Sequence, residues 1–111
     1  MDSILTSIKK LLGITEEYEH FDTDIIIHIN SAFATLTQLG VGPSDGYSIE
    51  NKDDYWSDFI KDSRRLEAVK SYVYLKVKIL FDPPASSVVM ESINRQINEL
   101  EWRLNVTVEI P

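Results

Sequence analysis

The hydrophobic pattern is strongest from Arg65 to Phe81, RLEAVKSYVYLKVKILF. At about 100° per residue, Glu67, Lys70, Ser71, Tyr74 and Lys78 fall in one narrow polar arc. Leu66, Ala68, Val69, Tyr72, Val73, Leu75, Val77, Ile79 and Leu80 fill an apolar arc of roughly 200°. A helix on the rim of a bundle needs only about half that width, so the pattern predicts a central helix with neighbours on two sides. Its start falls between Lys61 and Arg65. Asp82-Pro83-Pro84 ends it, because the residue before a proline is driven out of the helical region and proline has no N–H to donate. Lys76 lies inside the apolar arc. Its stem is expected to pack while its amine reaches an acid from the first half of the chain or a gap between subunits.

Four further segments carry a readable period. Asp2 or Ser3 can cap a first helix with the stripe Ile4, Leu5, Ile8, Leu11 and Leu12, closed by Gly13. Asp22 or Thr23 can cap a second helix running to about Leu39, with Ile25, Ile26, Ile29, Phe33 and Leu36 inward and Ile27, Ser31, Ala34 and Gln38 outward. Gly40-Val41-Gly42-Pro43 stops it. The polar run Asn51 to Asp54 can cap a short helix whose Trp56, Phe59 and Ile60 share a face and plug the core. Ser86 and Ser87 open a last helix to about Leu104, with Val89, Ile93, Ile97, Leu100 and Leu104 inward. On its other face Glu91, Arg95, Glu99 and Arg103 form a ladder at i, i+4 spacing, and Trp102 stands among them. Period two appears twice: at Tyr47-Ser48-Ile49, and in the tail Asn105 to Pro111, where Val106, Val108 and Ile110 alternate with Thr107 and Glu109. The two are expected to pair, within one chain or between neighbours, since a lone strand leaves its backbone unsatisfied. The expected fold is all-α: one domain over residues 1–111, a small bundle of four to five helices, a short strand near 47–49 and an extended tail over 105–111.

Composition narrows the chemistry. The 111 residues suffice for one modest core, and the 43% hydrophobic fraction argues against disorder. There is no cysteine, which removes disulfides and thiolate metal sites. The longest candidate helix carries Lys70, Lys76 and Lys78, so no membrane span is expected. Lys9 and Lys10 follow the apolar run of the first helix, the wrong order for a secretion signal. Net charge is −7, and it is uneven: residues 1–60 hold eleven acids against three lysines, residues 61–111 seven acids against eight lysines and arginines. So acidic a first half opposes a grip on DNA and suits either a surface that DNA slides past or a basic patch on another protein.

No catalytic constellation emerges. His20 and His28 stand eight positions apart and are not a helical zinc pair. Gly40 and Gly42 follow a helix and lack a Gly-Lys-Ser/Thr continuation, so they are not a phosphate loop. Asp45, Glu50, Asp53 and Asp54 lack calcium-loop spacing, and Glu16, Glu17 and Glu19 read as solvated loop carboxylates. Glu16-Glu17 matches half of the paired acidic motif of all-α magnesium-dependent nucleotide pyrophosphohydrolases, but the matching Glu-x-x-Asp is absent. No cofactor is expected.

Three stretches together resemble a known family: FDTDIIIHINSAFATLTQLGVGP (Phe21 to Pro43), Trp56-Ser57-Asp58-Phe59, and VKSYVYLKVKILFDPPASS…ESINRQINELEWRLN (Val69 to Asn105). They are similar to head–tail connector, or adaptor, proteins of long-tailed bacteriophages and of prophages in Gram-positive bacteria. The resemblance implies a helical, non-enzymatic structural protein. It implies a ring of about a dozen copies under closed symmetry, set beneath the portal, continuing the DNA channel towards the stopper and tail. The implied partners are further copies of the chain, the portal and the stopper or tail-completion protein. The implied location is the virion neck, with the host cytoplasm during assembly. Residues 44–55 match no fixed pattern. The interface candidates are Trp102, Arg95, Glu91, Glu99, Lys76, Val106, Val108 and Ile110. Two other readings compete: a small helical binding or regulatory module, and the magnesium enzyme above.

Overall fold

A broad apolar arc must be covered from more than one side, and the computed structural model shows how. It describes residues 2–109, with side chains through Val106. Five helices follow in order: α1 (Ile4–Leu11), α2 (Asp22–Gln38), α3 (Trp56–Phe59), α4 (Ser63–Phe81) and α5 (Ser87–Glu109). Helix α4 packs against α2, α5 and α1. Its Val69, Tyr72, Val73 and Val77 are buried, while Leu66, Ala68, Leu75 and Ile79 lie partly covered around them. The molecule measures 41 × 36 × 20 Å, a slab two helices thick at about 10 Å per helix. Asp62 caps α4 by accepting from the Arg64 N–H at 2.9 Å. At the far end Lys78 reaches Asp82 at 2.7 Å, one residue before the prolines.

Two glycine caps close α1 and α2 in the same way. Gly13 and Gly40 both have positive φ, and the next residue donates back across the cap: Ile14 to Lys9 O and Val41 to Leu36 O, each at 2.9 Å. The start of α2 differs from the expected cap. Asp22 is already the first helical residue, and Phe21 at the cap makes no side-chain bond. The Asp22 carboxylate is occupied elsewhere, 2.8 Å from the Lys9 amine. Lys9 is 2% exposed and also donates to Glu16 O at 2.9 Å and Tyr18 O at 2.7 Å. The amine is thus hydrogen-bonded to two carbonyls and its charge is paired with a carboxylate, which is what a buried lysine requires. One side chain thus ties the acidic α1–α2 connector to the core.

The segment 47–49 is not a strand. Asn30 on α2 takes the place of a partner strand: its Nδ2 donates to Ile49 O at 3.0 Å and its Oδ1 accepts from the Ile49 N–H at 2.7 Å. The Ile49 side chain is buried beneath, and the backbone is satisfied without a ladder. Among the described residues the one β-bridge joins Ser3 to Tyr55, flanking α1 and α3. Helix α3 starts at Trp56, and its first turn is held by Asp58 accepting from the Tyr55 N–H at 3.2 Å. The Asn51–Asp54 run folds on itself instead of capping α3: the Asp54 carboxylate accepts from the N–H groups of Glu50 and Asn51. As the pattern predicted, Trp56 and Phe59 plug the core; they join Phe33 and Tyr47 in an aromatic cluster.

The expected extended tail is also overturned. Helix α5 runs on to Glu109, so Val106 and Val108 are helical and do not pair with residues 47–49. Ile110 lies outside the described residues. Val106 and Val108 alternate in sequence, yet a helix already five turns long extends over such a segment at little cost, because each added residue brings a backbone hydrogen bond and nucleation has already occurred. Ile93, Ile97 and Leu104 form the buried stripe of α5. Val89, assigned to that stripe, is 47% exposed in the first turn of the helix.

Candidate functional site

Helix α5 has one face in the core and one in solvent, and the outer face holds most of the candidate residues. At about 100° per residue, Val88, Glu91, Arg95, Glu99, Trp102 and Val106 fall within roughly 80° of one another, opposite Ile93, Ile97 and Leu104. Val88 is 71% exposed and Trp102 67% exposed. Glu91, Arg95, Glu99 and Arg103 are exposed between them, and Val106 is half-covered. Burying an indole stabilises a fold by about 2 kcal/mol or more, and here that apolar surface is left in water. The charge ladder is only partly closed. Arg103 pairs with Glu99 at 2.7 Å, whereas the Glu91–Arg95 and Arg95–Glu99 rungs do not meet.

The inner flank of α5 is fixed by polar bonds that the sequence did not reveal. The Tyr72 hydroxyl, on buried α4, donates to Glu101 Oε2 at 2.7 Å. Asn105 Nδ2 donates to Leu39 O at 3.4 Å, joining α5 to the end of α2. Burial holds the Tyr72 hydroxyl far above its usual pKa, reinforced by the hydrogen bond to Glu101 and the charge of that carboxylate; a Thr35 hydrogen bond acts in the opposite direction. Tyr72 is thus a permanent donor. These bonds reinforce the rotation of α5 that its buried stripe Ile93, Ile97 and Leu104 selects. Hydrophobic period alone could have located Leu104 but not the Tyr72–Glu101 pair, since the two lie 29 residues apart.

Lys76 does not belong to this face. It is partly covered on α4, and its amine sits 5.9 Å over the Tyr72 ring and forms no ion pair with an acid. A cation over an aromatic face is a partial substitute for a counterion. Val108 is described only in its backbone, and Ile110 not at all, so neither adds to the surface described.

A second exposed apolar area, which the sequence reading missed, surrounds the α4–α5 turn. Leu80, at the end of α4, is 52% exposed, and Val88 and Val89, at the start of α5, are exposed as well. Phe81 stacks edge-on with Phe21 at 5.2 Å, and through Phe21 with Tyr18 and His20. The sign in the sequence was the apolar pair on each side of Asp82-Pro83-Pro84. A groove of about 690 Å³ opens between α1 and residues 52–55, and its walls carry Asp2, Lys10, Glu16, Lys52, Asp53 and Lys70. It mixes both signs and holds no histidine. Among the described residues no three His, Asp or Glu side chains gather as a metal site, and no helix is long and apolar enough to cross a membrane.

What this geometry can do is bind protein: an amphipathic helix with a rigid inner flank presents an indole, two valines and alternating charges. Comparison with curated proteins and with solved structures gives no match. Comparison with protein families gives one, described as phage connector protein, over residues 4–110. The match spans all five helices, so the resemblance drawn from Phe21–Pro43 and Val69–Asn105 extends over nearly the whole chain. The chain belongs to the phage connector proteins, structural components that join parts of the phage virion.

Proposed function

We propose that copies of this chain form a closed ring in the neck of a phage, between portal and tail, and that the ring continues the channel through which DNA passes. The observation that carries this reading is the outer face of α5, where Trp102 and Val88 lie in solvent on a helix whose other side is locked to the core. Tryptophan and arginine are enriched in the few residues that dominate protein interfaces. In a family of virion connectors that face is an assembly surface, made by Trp102, Arg95, Glu91 and Glu99 with Val106 at its end. The partners are neighbouring copies, the portal and the stopper or tail-completion protein. The site is the virion neck, reached from the host cytoplasm during assembly.

Charge supports the channel. Residues 1–60 carry most of the acids, and Glu16, Glu17, Glu19 and Asp24 are all exposed. An acidic lining repels phosphate and lets DNA slide. The isolated protein is expected not to bind duplex DNA at physiological salt; micromolar binding that weakens steeply with added salt would overturn the channel reading, because that slope reports phosphate contacts. The deciding experiment for the ring is co-assembly with the cognate portal, followed by electron microscopy. Symmetric density on the portal supports the reading, and a chain that never joins the portal sinks it.

A further inference from the structure

The outer face of α5 is also complementary to itself. Along it the charges alternate at one-turn spacing: Glu91, Arg95, Glu99, Arg103. Set a second α5 against it, antiparallel, with the midpoint at the height of Ile97, which itself faces the core, and with the two helices crossed so that their i, i+4 rows align. Glu91 then meets Arg103 of the other copy, Arg95 meets Glu99, and both pairs occur twice. Trp102 comes to the height of Ser92, a small residue that leaves room for an indole. Sliding one helix so that the midpoint moves half a turn either way puts Glu91 against Glu99 or Arg95 against Arg103, and stacks an arginine or a glutamate on its own copy. Charge therefore selects one register. It also selects direction, since an in-register parallel pair opposes like charges at every rung.

We propose that the free chain pairs with a second copy through antiparallel α5 helices centred on Ile97. The two-fold arrangement is the commonest form of self-association, and it requires this kind of self-complementary patch. In the single chain Glu91 and Arg95 do not pair with each other although they are one turn apart, so the second copy satisfies charges that the first leaves in water. One helix seam covers less than the ~1,200 Å² typical of stable interfaces. The pair is accordingly weak, with a dissociation constant in the micromolar range, and it separates readily. It covers the face assigned above to virion partners, so pairing and incorporation into the neck compete; that last consequence rests on the assembly reading, whereas the pair itself does not.

Charge reversal tests the pair. In Glu91→Arg an arginine faces Arg103 of the other copy, and in Arg103→Glu a glutamate faces Glu91. Each variant alone should weaken self-association by about tenfold, as like charges across a contact do. Mixed one to one, the two variants form a pair in which position 91 and position 103 are again opposite in sign on both sides, so association should return. Sedimentation equilibrium reads all three samples, and circular dichroism confirms that each variant is folded. Direction is read separately, by spin labels on single cysteines, which are unambiguous because the chain has none of its own. At 1.5 Å per residue, labels on Asn98→Cys should be offset by only about 3 Å along the axis, and labels on Val88→Cys by about 27 Å. Equal separations at the two sites would overturn the antiparallel register. So would a parent chain that stays monomeric to the sub-millimolar range, or a mixture that associates no better than its components. A chain that is monomeric alone yet joins the portal refutes only the pair; one that pairs but never joins the portal refutes only the ring.

Discussion

Lys9 is the only charged side chain sealed in the core among the described residues; its amine donates to Glu16 O and Tyr18 O and pairs with the Asp22 carboxylate. Lys9→Met keeps the volume but leaves Asp22 without its cation and two carbonyls without a donor. Loss of one partner of a buried pair costs about 3 kcal/mol, so the midpoint of guanidinium unfolding should fall sharply. An unchanged midpoint would show the connector is not held this way. Gly42 is a second point of no tolerance. It has φ +86°, and a Cβ there would lie 2.3 Å from Phe59 Cε1. Gly42→Ala must push the Phe59 ring into the Phe33–Tyr47–Trp56 cluster, at about 2 kcal/mol, read as a lower melting temperature. Tyr47 gives a pH signature. Its hydroxyl is buried without a hydrogen-bond partner, and its pKa is pushed up to about 12, by burial first and then by the Asp54 and Asp58 carboxylates. A raised folded pKa means that the native state holds its proton where the unfolded chain has released it. The contribution is therefore complete below the unfolded value of about 10 and is lost as pH rises through the folded one. Stability should decline above pH 10, and Tyr47→Phe should flatten that decline at no cost at neutral pH. An unaltered alkaline limb would show that Tyr47 does not titrate with unfolding.

At the scale of elements, α5 is where period misled. Val106, Val108 and Ile110 alternate, and alternation is the mark of a strand, but a few residues cannot outvote the helix that precedes them. The amides of Val106 and Val108 should therefore resist hydrogen exchange through i→i−4 bonds, and deleting residues 106–111 should reduce the far-ultraviolet helical signal. Exchange at the random-coil rate at both amides would contradict a helix to Glu109. Tyr47-Ser48-Ile49 was misread for a different reason. Its backbone partner is a side chain, Asn30, which no search for a second strand would find. Asn30→Ala should cost about 2 kcal/mol, for two bonds lost and the Ile49 backbone left unsatisfied, and should loosen the 44–50 loop in hydrogen exchange. By contrast, α1, α2 and α4 were legible because each has both a long apolar stripe and a chemical stop: Gly13, Gly40 and Pro83.

For the whole molecule, the slab of 41 × 36 × 20 Å leaves α5 on one surface with its outer face open. Trp102→Ala should leave the melting temperature within a degree or two, since an exposed side chain contributes little to folding, and should impair joining to the portal. A collapse in melting temperature would put Trp102 in the core and remove the assembly surface. The same substitution separates two roles for α5: the buried stripe Ile93, Ile97 and Leu104 holds the fold, and the opposite stripe meets partners.

The chain alone determined its helical class, the place of the central helix, the caps at Gly13 and Gly40, and the outward position of Trp102. These follow from local periodicity and backbone stereochemistry, which act over a few residues. It also carried the family resemblance, which lies in residue identities at fixed positions. Tertiary structure alone decided how Lys9 is neutralised, what satisfies the backbone at Ile49, where α5 ends, and which rungs of its ladder close. Those outcomes depend on groups far apart in sequence, such as Asn30 with Ile49 and Tyr72 with Glu101. A buried polar atom takes whichever partner the packing brings within reach, and that distance is set only when the helices come together.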